Sequence, residues 1–293
     1  MKNPLLRTLY SAIPAKRWLF EPLRRSQILP KSVYQHLFVA GSMRIRVDAN
    51  RHFSIQNNGH YIETLLYWGG IEKGWERESA AVWVALCKSS KHILDVGANT
   101  GIYSLMAYAV KPDALISAFE PVPGVFRQLQ HNNKLNGGPI HLYPLALGPT
   151  DGEATIYDNA DNHYEASLVA DPHGKQRPQN QYKVAVRSID SLLADGTLTG
   201  IDLMKIDVEK FEAQVLAGFK ALAQYKPAIL IEILDDTIGR DIQQMIGGLG
   251  YHFFNIDEER GLQPVAHLGK SHSYNFLLVQ NKHQSILKNL LTG

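Results

Sequence analysis

From residue 91 onward, short runs rich in β-branched residues alternate with stretches whose apolar positions recur at helical spacing. That is the pattern of a parallel sheet covered by helices on both faces. Residues 92–96 read as a first strand, 101–110 as a helix, 115–119 as a second strand, 124–135 as a second helix and 141–147 as a third strand. Then the rhythm breaks. Residues 148–188 are rich in Gly, Pro, Asp, Asn and His, with two short antiparallel strands predicted at 154–157 and 182–186 around a loop. A long excursion of this kind in a regular fold is more often functional than ornamental, and it is expected to lie over an acceptor site. The alternation resumes with strands at 202–207, 228–233, 251–256 and 274–279 and helices at 211–223 and 237–249, so the expectation is a seven-stranded, mostly parallel sheet. Before residue 91 the pattern predicts a helix over 72–87 and two short strands between 37 and 55. The organisation expected is a helical and β appendage over 1–70 and an α/β domain over 71–293.

Composition narrows the class. With 293 residues, 45% hydrophobic and 20% charged, the chain has the balance of a globular protein with a core large enough to need no disulfides. The single Cys87 cannot form an internal bridge and points to a reducing, cytoplasmic setting. No apolar run approaches the roughly 18 residues of a membrane span, and Arg7, Lys16 and Arg17 interrupt any secretory-signal core. The net charge of +2 hides an asymmetry: residues 1–46 hold nine basic side chains against Glu21 alone, a balance of +8, which leaves −6 for the rest. That arm lacks the interleaved aromatics and recognition patterns of a nucleic-acid binder, so no nucleic acid is expected. A basic helix carrying Leu5, Leu6, Leu9, Tyr10 and Ile13 suits packing on its own domain, a subunit contact or an anionic membrane surface.

The sharpest chemical signal runs from Asp95 to Gly101, with Gly97, Ala98, Asn99 and Thr100 between, where a strand enters a glycine turn and then a helix. Gly97 lets the backbone approach a ligand and Gly101 starts the helix close to the strand. Asn99 stands where a dinucleotide fingerprint has its middle glycine, and Asn is the side chain best suited to positive φ. No Lys-Ser or Lys-Thr pair follows, which excludes a P-loop. Asp95 at the strand end would repel a phosphate but suits a cationic head, and Glu120, 25 residues on, is placed for ribose hydroxyls. The ligand described is a nucleoside with a positive end and no pyrophosphate, which S-adenosylmethionine fits better than NAD. The plainer reading is that Asp95 caps the loop and Glu120 caps the next helix ahead of Pro121.

These residues, together with Tyr103 and Ser104 after the loop, Ala118-Phe119-Glu120-Pro121, Ser188-Ile189-Asp190, Lys205-Ile206-Asp207-Val208-Glu209-Lys210-Phe211-Glu212 and Ile231-Glu232, resemble the successive blocks of FkbM-type methyltransferases. The resemblance covers residues 72–280 in order. It implies a Rossmann-like class I methyltransferase sheet, S-adenosyl-L-methionine as donor, and a hydroxyl acceptor on a sugar, polysaccharide or secondary metabolite. It further implies that Asp95 through Gly101 hold the methionine end, Glu120 the ribose, and the backbone near Ala146 and Leu147 the adenine edge. One departure stands out: Lys210 occupies a position where the family usually has glycine.

Methyl transfer to an alcohol needs an in-line approach and a group to take the proton. Asp207 and Glu209 after the fourth strand and Glu232 after the fifth are the candidates, because ligands of open α/β sheets sit beyond the carboxyl ends of the strands. They could serve as base or as ligands for a divalent ion; the base is preferred and no metal is assigned. Lys205, on the same side of its strand as Asp207, is read as neutralising buried acid. His163 in the excursion is a further base candidate beside Tyr164 and Ser167. Glu76, read as helical, is a candidate for the methionine amino group. Trp68, Trp75 and Trp83 are read as core or interface aromatics. The competing readings are an NAD(P)-dependent oxidoreductase, disfavoured by Asn99 and by the lack of a Tyr-x-x-x-Lys pair, and a non-catalytic S-adenosylmethionine-binding scaffold, for which Lys210 is the hint.

Overall fold

The computed structural model describes residues 16–26, 28–158, 168, 180–283 and 286, and the chain divides into two compact units, Met1–Arg77 and Glu78–Gly293.

In the first unit, helices α1 (Lys16–Ser26) and α2 (Lys31–Tyr34) precede an antiparallel hairpin of β1 (Gly41–Arg46) and β2 (His52–Asn57), and α3 (Tyr61–Lys73) follows. The hairpin alternates as a half-buried ribbon should: Met43, Ile45, Phe53 and Ile55 are buried while Ser42, Arg44 and Arg46 are not. Asp48 closes its turn by accepting the amides of Asn50 and Arg51, each at 3.0 Å. Trp68 is a core aromatic, its indole donating to the Leu37 carbonyl at 2.7 Å. The continuous helix expected over 72–87 is broken. Gly70 leaves the helical region at φ +61, the chain turns so tightly that Gly74 sits on the Gly70 carbonyl, and α4 (Arg77–Cys87) begins only after Glu76, whose φ is +49. Glu76 is therefore a turn residue of the first unit rather than a helical one.

The second unit is built on an eight-stranded sheet. Its parallel core comprises β3 (His92–Val96), β4 (Leu115–Phe119), β5 (His141–Tyr143), β9 (Leu203–Ile206) and β10 (Ala228–Glu232). The antiparallel β13 (Asn275–Val279) lies between β10 and β11 (His252–Asp257), and β12 (Gly261–Val265) forms the edge, giving the order β12-β11-β13-β10-β9-β3-β4-β5. The direction of winding reverses between β3 and β9. Right-handed crossovers then place α5 (Ile102–Val110) and α6 (Pro123–Leu135) on one face, and α8 (Glu212–Ala217) and α10 (Asp236–Met245) on the other, where the latter two pack together. The sheet thus has one strand more than the seven expected. The extra strand, β12, carries Pro264, which lacks an amide and is tolerated there because β12 is an edge strand.

Two further expectations are corrected. The third strand stops at Tyr143, ahead of Pro144, and β6 (Ala146–Leu147) joins a separate three-stranded sheet with β7 (Gly152–Asp158) and β8 (Asn180–Arg187). The antiparallel pair predicted in the excursion is this β7–β8 ribbon, which packs Ile156, Val184 and Val186 against Val122 and Val125. The helix expected over 211–223 is divided at Gly218, which lies against the Gly148 carbonyl, and α9 (Leu222–Tyr225) follows. Asp190, after the Ser188 that caps α7 (Ile189–Ala194), holds the break by accepting the amides of Lys220 and Ala221 at 2.8 and 3.1 Å. Cys87 and Trp83 are fully buried, and burial pushes the Cys87 thiol well above its ordinary range, so it is an inert core residue.

Candidate functional site

Strand register assembles the site. Val96 is level with Phe119 on one side and with Ile206 on the other, and Ile206 is level with Ile231. The next residue of each strand therefore falls in one row along the carboxyl rim: Glu120, Gly97, Asp207 and Glu232. Two residues before Gly97 and Asp207 on the same strands, Asp95 and Lys205 are direct neighbours. Spacing along the sequence predicts the rim, but register makes these particular side chains adjacent.

The glycine turn is left-handed at Gly97 (φ +78), Asn99 (φ +50) and Gly101 (φ +92). The positive φ expected of Asn99 is present, and a Cβ on Gly97 would run into the Asp207 carbonyl. The amides of this turn decide what it can hold. Those of Gly97 and Ala98 donate to the Phe119 carbonyl at 3.0 and 2.9 Å, and that of Asn99 donates to Glu120 Oε2 at 2.9 Å. A phosphate or pyrophosphate loop aims such amides at its ligand; here they are tied to the second strand. The loop is a shaped wall, not an anion cradle.

Its charges are arranged for a cation. Asp95 is 1% exposed; its Oδ2 accepts the Ser104 hydroxyl at 2.6 Å, while Oδ1 is buried without a hydrogen-bond partner among the described residues. Burial pushes the Asp95 carboxyl up, and Lys205 and Ser104 oppose the shift. A buried carboxylate oxygen left unpaired is costly unless positive charge lies close. Lys205, 4% exposed, supplies part of it, with its ammonium 4.6 Å from the Tyr103 ring centroid and 2.7 Å from Asp207 Oδ2. The expectation that Lys205 neutralises buried acid is what the geometry shows. Tyr103 is also held through its carbonyl, which accepts the Trp83 indole at 2.9 Å.

Glu120 performs the plainer role foreseen for it. Oε2 takes the Asn99 amide and Oε1 the Val122 amide at 2.8 Å, so one side chain clamps the glycine turn to the start of α6 beside Pro121. Ala146 and Leu147 lie in β6, the edge strand of the smaller sheet, paired with Val186 and Arg187.

Asp207, Glu209 and Glu232 are half-buried and converge, each offering an oxygen within 4.8 Å of the others. Three oxygens at this spacing can ligate a divalent ion or take a proton. The Lys205 ammonium bound to Asp207 opposes a second positive charge at that carboxylate. The residue that sequence reasoning passed over is Glu212. It is fully buried, Oε1 accepts the Val208 and Lys210 amides at 3.2 and 3.1 Å, and Oε2 has no partner among the described residues. Burial drives its carboxyl up to about 7, with the Asp207 charge adding and the amides opposing. Glu212 holds the turn that presents Asp207 and Glu209, and that turn is left-handed at Glu209 (φ +54) and Lys210 (φ +75). The glycine-type turn therefore persists with lysine in it. An acid opening a helix two residues after a glycine-like position was the signal available in the sequence. His163, Tyr164 and Ser167 lie outside the described residues, and Glu76 belongs to the other unit.

A model of the methyltransferase FkbM domain matches residues 95–253, more than half of the chain and the whole of the rim just described. The chain belongs to the FkbM methyltransferase family. With that membership come the class I methyltransferase fold and S-adenosyl-L-methionine as cofactor. Relatives include AMB antimetabolite synthetase AmbE of Pseudomonas aeruginosa, 26% identical in a match that covers 50% of this chain and 8% of AmbE. Hexuronic acid methyltransferase AglP of Haloferax volcanii is 25% identical over 52% of this chain and 59% of its own length. The 31-O-demethyl-FK506 methyltransferase FkbM of Streptomyces tacrolimicus is 28% identical over 43% and 58%. The chain thus spans under two thirds of the length of each.

Proposed function

We propose that this chain is an O-methyltransferase that carries a methyl group from S-adenosyl-L-methionine to a hydroxyl of a sugar, polysaccharide or secondary-metabolite acceptor. The observation that carries the reading is the convergence of Asp207, Glu209 and Glu232 on the rim beside a glycine turn whose amides are closed to phosphate. The names of AglP and FkbM, one a hexuronic acid methyltransferase and the other specified by an O-demethyl substrate, support an oxygen acceptor.

When bound, the donor supplies an electrophilic methyl on a sulfonium. Gly97 through Gly101 and Tyr103 shape its wall, Asp95 and Ser104 set the negative field for its cationic end, Glu120 takes the ribose, and the backbone of Ala146 and Leu147 takes the adenine edge. Glu209 or Glu232 would take the one proton that the acceptor hydroxyl gives up, and Asp207, bound to Lys205, would orient that hydroxyl.

Calorimetric titration with S-adenosyl-L-methionine, S-adenosylhomocysteine and NADH, followed by transfer of labelled methyl to a panel of glycans and hydroxylated metabolites, tests the reading. Binding of the first two with transfer to an oxygen is the expected result. Binding of NADH instead would overturn it, and donor binding with no transfer across the panel would make the protein a non-catalytic binder.

A further inference from the structure

Helix α1 is amphipathic, but in the reverse of the usual sense. At about 100° per residue, Trp18, Leu19, Pro22 and Leu23 share one arc, and Arg17, Glu21, Arg24 and Arg25 the other. A surface helix ordinarily buries its apolar arc. In α1 the side packed on the unit holds the half-buried Phe20, Glu21 and Arg24, and the Phe20 ring lies 5.6 Å from that of Trp68. Arg24 is bonded to Glu21 at 2.7 Å, with both side chains about one-third exposed, and its guanidinium lies 5.2 Å over the Tyr67 ring. The apolar arc faces out. Trp18 is 78% exposed, Leu19 44% and Leu23 39%, no residue of the helix is buried, and Ile28 just beyond it is 75% exposed.

Charge says what this face meets. Arg25, its side chain 78% exposed and 3.2 Å from Glu21, flanks the apolar arc, Arg17 donates to the Ser42 carbonyl at 2.9 Å, and both border a groove of about 770 Å³ that Arg24, Arg44 and Trp18 also line. Glu21 is the one acid in a 46-residue segment of net charge +8. A second copy of this chain is a poor occupant, because a two-fold pairing of the face would set a segment of net charge +8 against its own copy. A tryptophan and two leucines bordered by arginines suit the boundary between headgroups and acyl chains of an anionic bilayer. Among the described residues no helix is long and apolar enough to cross a membrane, so the contact would be peripheral.

We propose that α1 docks this protein on an anionic phospholipid surface, with Trp18, Leu19 and Leu23 entering the headgroup boundary and the exposed Arg25 at its border meeting lipid phosphate. The inference is independent of the methyl-transfer reading. The test is co-sedimentation of the full chain with vesicles of phosphatidylcholine, alone or mixed with phosphatidylglycerol. Binding is expected only to the mixed vesicles and weakens with added salt. Arg25→Gln reduces it about fivefold, the effect of roughly one interfacial charge, and Trp18→Asp about tenfold or more. Neither variant changes the thermal transition, because neither side chain is buried. Failure to bind either vesicle, or binding that survives Trp18→Asp undiminished, overturns the proposal. So does a chain that self-associates and becomes monomeric in Trp18→Asp, which would assign the face to a second copy.

Discussion

Replacing Glu212 by glutamine isolates the cost of holding a carboxylate under the rim. The side chain is fully buried and its carboxyl sits at about 7 against an ordinary 4.5, raised chiefly by burial. The folded state therefore keeps a proton that the unfolded chain has released between those values, and unfolding releases it. Stability from this group is fully present below about pH 4.5 and is lost as the pH rises through about 7. A shift of this size corresponds to about 3 kcal/mol between the two ends of that window. The substituted amide would keep an oxygen for the Val208 and Lys210 amides, which bond Glu212 at 3.2 and 3.1 Å, and would have no charge to desolvate. Glu212→Gln should match the wild type near pH 5 and exceed it progressively, by about 3 kcal/mol near pH 8. Urea unfolding followed by circular dichroism across that range, analysed by linear extrapolation, measures the difference. Parallel pH dependences for the two proteins, or a wild type that gains relative stability as the pH rises, would refute the reasoning.

Three other changes probe the division of roles on the rim. Asp95→Asn removes the charge whose Oδ1 has no partner among the described residues, and donor affinity measured by calorimetry should fall about tenfold or more; unchanged affinity would remove Asp95 from the donor site. Asp207→Asn and Glu209→Gln should each lower kcat about a hundredfold or more with the donor Kd nearly unchanged. An equal loss of donor binding would show that these acids hold the donor. Lys210→Gly relieves a lysine at φ +75 and should stabilise the larger unit by about 1 kcal/mol in the same unfolding assay; a less stable variant would mean that the lysine side chain contributes more than its backbone costs.

Much of the site was legible because its signals are local. The run from Asp95 to Gly101 needs glycine where φ is positive and allows asparagine there, so residue type alone announced the turn. Lys205 and Asp207 share a strand face through the two-residue period, which foretold their ion pair at 2.7 Å. Glu212 was less visible. A buried acid reads in sequence like any exposed acid in the first turn of a helix, and only packing removes its water. The end of the third strand at Pro144 and the break at Gly218 were local signals too, but the apolar pattern runs through both. The Gly148 amide donating to the Arg187 carbonyl and the Asp190 carboxylate accepting the Lys220 and Ala221 amides decide them, and those partners are distant in sequence.

By itself, the sequence determined the alternation of strands and helices, the glycine turn, and the acids at the strand ends, because each depends on the conformational range of a few neighbouring residues. The eighth strand, the reversal of winding at β3 and β9, and the outward apolar face of α1 were decided in the tertiary structure. Register belongs there too: it aligns Glu120, Gly97, Asp207 and Glu232 in one row, and a shift of one residue would have turned every one of those side chains to the opposite face. Hydrophobic burial is summed over the whole core, and no short stretch of sequence carries that sum.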